Sequence, residues 1–133
     1  MKKKFKVEDK VFKTEVLFLC GYSHIEMANE MKNLGVKDFD VDFFKHADGS
    51  QMFFREDSGV NSPFRVVWLR YFTKSPYCIG TASHEIFHLV VRICDDKGIP
   101  IDRSNNSDET GAYLQDFYMR HFIGKLFNKE PHW

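Results

Sequence analysis

The chain of 133 residues lacks any run of 18 apolar residues, so no helix long enough to span a bilayer is expected and no membrane partner is implied. It also lacks net charge: 19 Lys and Arg balance 19 Asp and Glu, leaving no basic excess to bind nucleic acid. Its cysteines are few, and Cys20, Cys78 and Cys94 show no metal-pair spacing. An odd count leaves one thiol unpaired, so reduced thiols and a cytoplasmic location are expected. After the basic start MKKKFKVEDKVF, the residues Glu8, Asp9 and Lys10 interrupt the apolar stretch that a secretory signal needs. Internal repeats and low-complexity segments are missing too. Aromatics, by contrast, are plentiful at 16%, with 14 Phe, and 43% of residues are hydrophobic. That composition excludes disorder and supplies the core of one domain over 1–133. Residues 1–10, with Lys2, Lys3 and Lys4, read as a flexible basic tail.

The apolar segment 14–20, TEVLFLC, has the length and composition of a buried strand. Residues 22–34 read as a helix capped by Ser23 and closed by Gly35. Segments 38–44 and 51–55 flank Ala47-Asp48-Gly49-Ser50, a pattern that predicts a β-hairpin. Residues 64–72, FRVVWLRYF, follow Pro63 and predict another strand. Two helices complete the chain, at 82–97 and 108–127. The order is strand, helix, three strands, two helices. It predicts an α+β domain, with a small, twisted, mainly antiparallel sheet and helices packed against one face.

The most specific pattern is His84-Glu85-Ile86-Phe87-His88, an HExxH motif. On a helix, residues four apart lie about 40° apart around the axis, so both imidazoles can hold one metal ion. Glu85 stands beside that ion without taking a ligand position. Zinc hydrolases need this set: nitrogen ligands and a free carboxylate to take a proton from water. The helical context is good. Ala82, Ile86, Leu89, Val90 and Ile93 make an apolar stripe, Thr81 can cap the helix, and Gly98 and Pro100 end it. The competing reading is a surface helix with merely solvated histidines.

A catalytic zinc takes three protein ligands and keeps a fourth position for water. Cys94 falls where the longer HExxHxxGxxH pattern puts its last ligand, but Val91 replaces the helix-breaking glycine. On a continuing helix Cys94 points away and reads as a small buried residue. Glu109 is the better candidate. It falls in the first turn of the last helix, which Asn106 can cap, and two antiparallel helices could return it over the His84/His88 face. Helix capping alone also favours a carboxylate there, and Asp108 is the runner-up ligand.

The stretch 81–118, TASHEIFHLVVRICDDKGIPIDRSNNSDETGAYLQDFY, resembles the active-site helix and glutamate-bearing helix of gluzincin-type zinc metallopeptidases. It is also similar to small metallopeptidase-like proteins of bacteriophages and prophages. The resemblance covers about the C-terminal third of the chain and matches the rest in general layout. It implies a minimal zincin-like fold, with His84, His88 and Glu109 as zinc ligands and Glu85 as general base. A sheet-edge strand along the cleft, 64–72 or 51–55, would then pair with an extended peptide or protein substrate. One departure stands out. Where the pattern often has an aspartate four residues after the ligand glutamate, this chain has Tyr113, and the nearest acid on that face is Asp116.

Two function classes follow. The first is a zinc-dependent hydrolase cleaving peptide bonds through a zinc-activated water. The second, of phage type, is a zinc-binding structural, assembly or interaction module without peptidase activity. His24, His46, His121 and His132 lack partners at short spacing and read as structural or solvated. Phe87, Phe117 and Trp68 read as core, with Trp68 able to line the cleft instead.

Overall fold

The computed structural model describes residues 1–101 and 108–129. The cap expected at Asn106 and the histidine at 132 lie outside those residues. Strands β1 (Lys3–Glu8), β2 (Glu15–Cys20), β3 (Gly49–Phe54) and β4 (Phe64–Leu69) form one sheet in the order β1-β2-β4-β3. β1 pairs with β2, and β3 with β4, antiparallel, while β2 and β4 at the centre run parallel. The helices are α1 (His24–Asn33), α2 (Pro76–Asp96) and α3 (Asp108–Leu126). The architecture is α+β with a mixed sheet.

Both faces of the sheet are covered. On one, Phe18 and Val67 pack beneath α2 and α3, against Ile86, Leu89, Leu114 and Phe122. On the other, Leu19 and Trp68 pack against Met27 and Met31 of α1. The alternation is that of adjacent strand residues pointing to opposite faces. Trp68 is fully buried and its indole N–H donates to the Tyr22 carbonyl at 2.8 Å, so it is core and lines no cleft.

Several expectations need correction. Residues 1–10 are not a flexible tail, because β1 occupies their middle. Phe5 and Val7 alternate inward while Lys4, Lys6 and Glu8 face out, and Phe5 stacks on Phe18 at 5.0 Å. Lys2 is held by an ion pair with Glu26, whose carboxyl is kept below its usual range chiefly by that contact. The expected hairpin is also absent. Residues Val41–Phe44 form a 3₁₀ turn, and β3 pairs with β4 instead. Asp38 takes a left-handed backbone at φ 57°, and Phe39 stacks on Phe44, which meets the edge of Trp68. This aromatic lid over Trp68 overrides the strand pattern of 38–44.

Helix α2 starts six residues before the expected position. Ser75, not Thr81, is its cap: the Ser75 hydroxyl accepts from the Cys78 amide at 3.2 Å, and Pro76 opens the first turn. Thr81 instead donates to the Tyr77 carbonyl at 3.0 Å within the helix. The exit is as expected, with Gly98 left-handed at φ 69°. The Ser23 cap of α1 is present as a reciprocal box with Glu26. All three cysteines are free, as read from their spacing, and all three are buried. Phe117 is core, but Phe87 is 52% exposed and is not.

The turn between β1 and β2 depends on one buried carboxylate. Asp9 is fully buried and accepts from the amides of Val11, Phe12 and Thr14 at 3.0, 2.6 and 2.9 Å, and from the Tyr118 hydroxyl at 3.2 Å. Through Tyr118 it ties the first two strands to α3. Removing it strands three amide donors, at on the order of 3 kcal/mol in all. Asp9→Ala should therefore lower the unfolding free energy by that amount, read as a lower urea midpoint, and Asp9→Asn by less. An unchanged midpoint for Asp9→Ala would refute the assignment.

Candidate metal centre

Helix α2 has four differently occupied flanks, as expected for about 100° of rotation per residue. Its apolar flank, with Ala82, Ile86 and Leu89, faces the sheet. On one side Ser83 faces α3, where its carbonyl accepts from the Gln115 side-chain amide at 3.4 Å. On the other side Glu85 faces β3. His84 and His88 stand on the exposed flank opposite the core.

The two imidazoles meet edge to face, with Nε2 to Nε2 3.2 Å apart. Their fit to a metal can be tested on that distance. At zinc–nitrogen bonds of about 2.05 Å, nitrogens 3.2 Å apart subtend roughly 100° at the ion, close to the tetrahedral angle. The pair therefore has the spacing of two ligands to one ion. Among the described residues, no third His, Cys, Asp or Glu joins them in a group able to hold a metal. Asp108 and Glu109 lie exposed in the first turn of α3. The bond from Gln115 to Ser83 places that turn at the right height. Glu109 is six residues before Gln115, and His88 is five after Ser83, in antiparallel helices. The obstacle is angular: α3 lies on the Ser83 flank, whereas the histidines point to the far side of α2. Cys94 is buried in the core, as expected, and faces no histidine.

Glu85 is half-buried between α2 and β3. Burial raises its carboxyl above the usual range, while His84 and His88 act in the opposite sense. Gly49 makes room for it. A Cβ at Gly49 would lie 3.1 Å from Glu85 Cγ, 2.9 Å from the Trp68 carbonyl oxygen and 3.1 Å from Leu69. The glycine is needed for space and not for a turn, which corrects its reading as part of a hairpin loop.

A groove of about 480 Å³ opens beside this point, lined by Asp48, Gly49, Tyr77, Thr81, His84 and Glu85. Tyr77 donates to the Asp48 carboxylate, a contact that raises the phenol above its usual range. Neither residue was singled out from the sequence. The available signal was the spacing of Tyr77, Thr81, Glu85 and His88 along one side of the helix. Tyr113 is 41% exposed, and Asp116 accepts from Arg120 at 2.8 and 2.9 Å.

β3 is an edge strand, whereas β4 is central, so of the two candidate edges only 51–55 remains. The Arg70 amide bonds the Asp48 carbonyl at 2.8 Å, which fixes the phase of the ladder. Antiparallel alternation then turns the backbone groups of Gly49, Gln51 and Phe53 to the free edge. Gly49→Val should force Glu85 and the β4 backbone apart and cost about 1–3 kcal/mol, the range for overpacking. Denaturant titration checks this, and a variant as stable as the parent would show the contact to be loose.

Comparison with protein-family models, curated proteins and solved structures finds no match to this chain.

Proposed function

We propose that this chain is a zinc-dependent hydrolase acting on peptide bonds. The observation that carries the reading is the 3.2 Å approach of His84 Nε2 and His88 Nε2, with a half-buried Glu85 one residue along and open space beside it. His84 and His88 would hold the ion, and Glu109, or Asp108 after it, would complete the protein ligands by moving over the exposed flank of α2. Bound zinc supplies acidity to a water and polarises a carbonyl. Glu85 takes the water's proton and later delivers it to the leaving amine, a task suited to a carboxyl raised by burial. The free edge of β3 offers backbone groups at Gly49, Gln51 and Phe53 to an extended peptide, which would set its scissile bond beside Glu85. These roles match those implied by the gluzincin resemblance.

One observation favours a second reading, a zinc-binding assembly or interaction module without turnover. Among the described residues the ligand set stops at two. A third ligand from another molecule would turn such a pair into a structural contact.

Elemental mass spectrometry tests the metal that both readings share, and hydrolysis of a peptide library separates them. About one zinc per chain is expected in the parent. His84→Ala and His88→Ala should each lose it, and Glu109→Ala should lower it. Retention by Glu109→Ala with loss by Asp108→Ala would move the third ligand. Glu85→Gln should keep the zinc and abolish hydrolysis of a peptide library. Full activity in that variant, or a parent that takes up no zinc when it is offered, would overturn the proposal.

A further inference from the structure

A second, separate pocket lies farther along α2 and β3 from the groove at His84. β3 runs in the same direction as α2. Gly49 lies beside Glu85 at one end, and Phe53 lies beside Arg65 and the last turn of α2 at the other. That far end is a pocket of about 320 Å³ lined by Gln51, Phe53, Arg55, Arg65, Arg92 and the carboxylates of Asp95 and Asp96.

Arg65 is the unusual member. It is only 6% exposed, yet the nearest carboxylate oxygen, of Asp96, is 4.0 Å from its guanidinium nitrogen. That is beyond hydrogen-bond length, and no hydrogen bond to the guanidinium is found among the described residues. Its plane lies instead over the Phe53 ring at 4.2 Å, and Arg55 lies over the same ring at 5.1 Å. A buried guanidinium with five donors normally has acceptors for most of them. Burial, together with the like charges of Arg55 and Arg92, holds Arg65 below its usual range, and only Asp96 and Tyr118 act against this. The Gln51 side-chain oxygen, on the same wall, is buried without a hydrogen-bond partner. Three arginines against two exposed aspartates leave the pocket cationic, with a buried donor set facing into it.

We infer that this pocket is the subsite for a carboxylate of the bound peptide, held by Arg65 and Arg92 with Arg55 at its rim. The inference rests on the peptidase reading for what the peptide undergoes, but not for its binding. Strand geometry gives the register. At about 3.4 Å per residue, Phe53, which pairs with Arg65, is about 14 Å from Gly49, so the carboxylate belongs about four residues from the scissile bond. Arginine suits the task because its planar fork can bind a carboxylate through two parallel hydrogen bonds.

The test uses full-length Glu85→Gln protein and labelled, N-acetylated hexapeptides, read by fluorescence anisotropy. One peptide carries an internal Glu and an amidated end. A second has Gln in that place and a free C-terminal carboxylate. A third has Gln and an amidated end. Either carboxylate peptide should bind about tenfold tighter than the neutral one, as for a charge-assisted contact. Which of the two wins identifies the carboxylate's source. Arg92→Glu, at an exposed position where folding is safe, should erase the preference, and Arg55→Gln should reduce it. Equal affinity for all three peptides, no binding by any at millimolar concentration, or an unchanged preference in Arg92→Glu would overturn the inference. Hydrolysis by the parent protein is scored separately. Selective binding without turnover would remove the peptidase reading and leave the subsite. Turnover without acid preference would do the reverse.

Discussion

The parallel pairing of β2 with β4 is the constraint on which the rest of the structure depends. Parallel neighbours cannot be joined by a tight turn, so the chain between them must leave the sheet and return. It does so over one face, through α1 and the aromatic turn around Phe44, and re-enters the sheet as β3 before β4. That leaves the other face for the segment after β4, where α2 and α3 lie. β3 takes the side of β4 that β2 leaves open and so forms the free edge beside α2. The cleft therefore results from the topology of the sheet, and its histidines are placed by the pitch of a helix the sheet holds in position.

Much of this was legible in the sequence. The run 14–20 is apolar at almost every position because β2 is buried on both faces, and such a run reads as a strand without alternation. The exit of α2 was legible because Gly98 must supply a left-handed residue there. Its start was not, since Gly80 and Thr81 resemble punctuation but sit inside the helix, and the true cap, Ser75, lies in a polar stretch that offers several. β1 was hidden by charge. The alternation of Phe5 and Val7 with lysines is a strand signal, but a cluster of lysines near a terminus also describes a solvated tail. The false hairpin arose because Gly49 looks like a turn residue, whereas its small size serves the approach of Glu85.

The motif itself shows what a sequence pattern can and cannot fix. Spacing within a single helix is rigid, so four residues between His84 and His88 deliver a usable nitrogen separation with no knowledge of the fold. A third ligand from another helix depends on which flank that helix packs against. Ser83, one residue before His84, already points to α3, and the rotation of about 100° between successive residues carries the histidines away from it. Depth along the helix could be inferred from an antiparallel pair joined by a loop. Rotation could not, because it is decided by how Leu114, Phe117 and Phe122 fill the core beside Ile86 and Leu89.

The two ends of the cleft are linked by the same geometry. Residues Gly49, Gln51 and Phe53 share one face of β3, the face over which α2 runs, and their backbone groups share its open edge. A chain seated on that edge would pass Glu85 and Arg65 in turn, in step with the strand. Arg65 is central-strand sequence and would ordinarily be apolar; its neighbours Val66, Val67 and Trp68 are fully buried. A guanidinium kept there over an aromatic ring, without a close acceptor, lowers the stability of the fold through its desolvation. Phe53 offsets part of that cost by cation–π contact, and an incoming carboxylate would offset more. A residue that costs the core its desolvation would thus gain from the carboxylate inferred above.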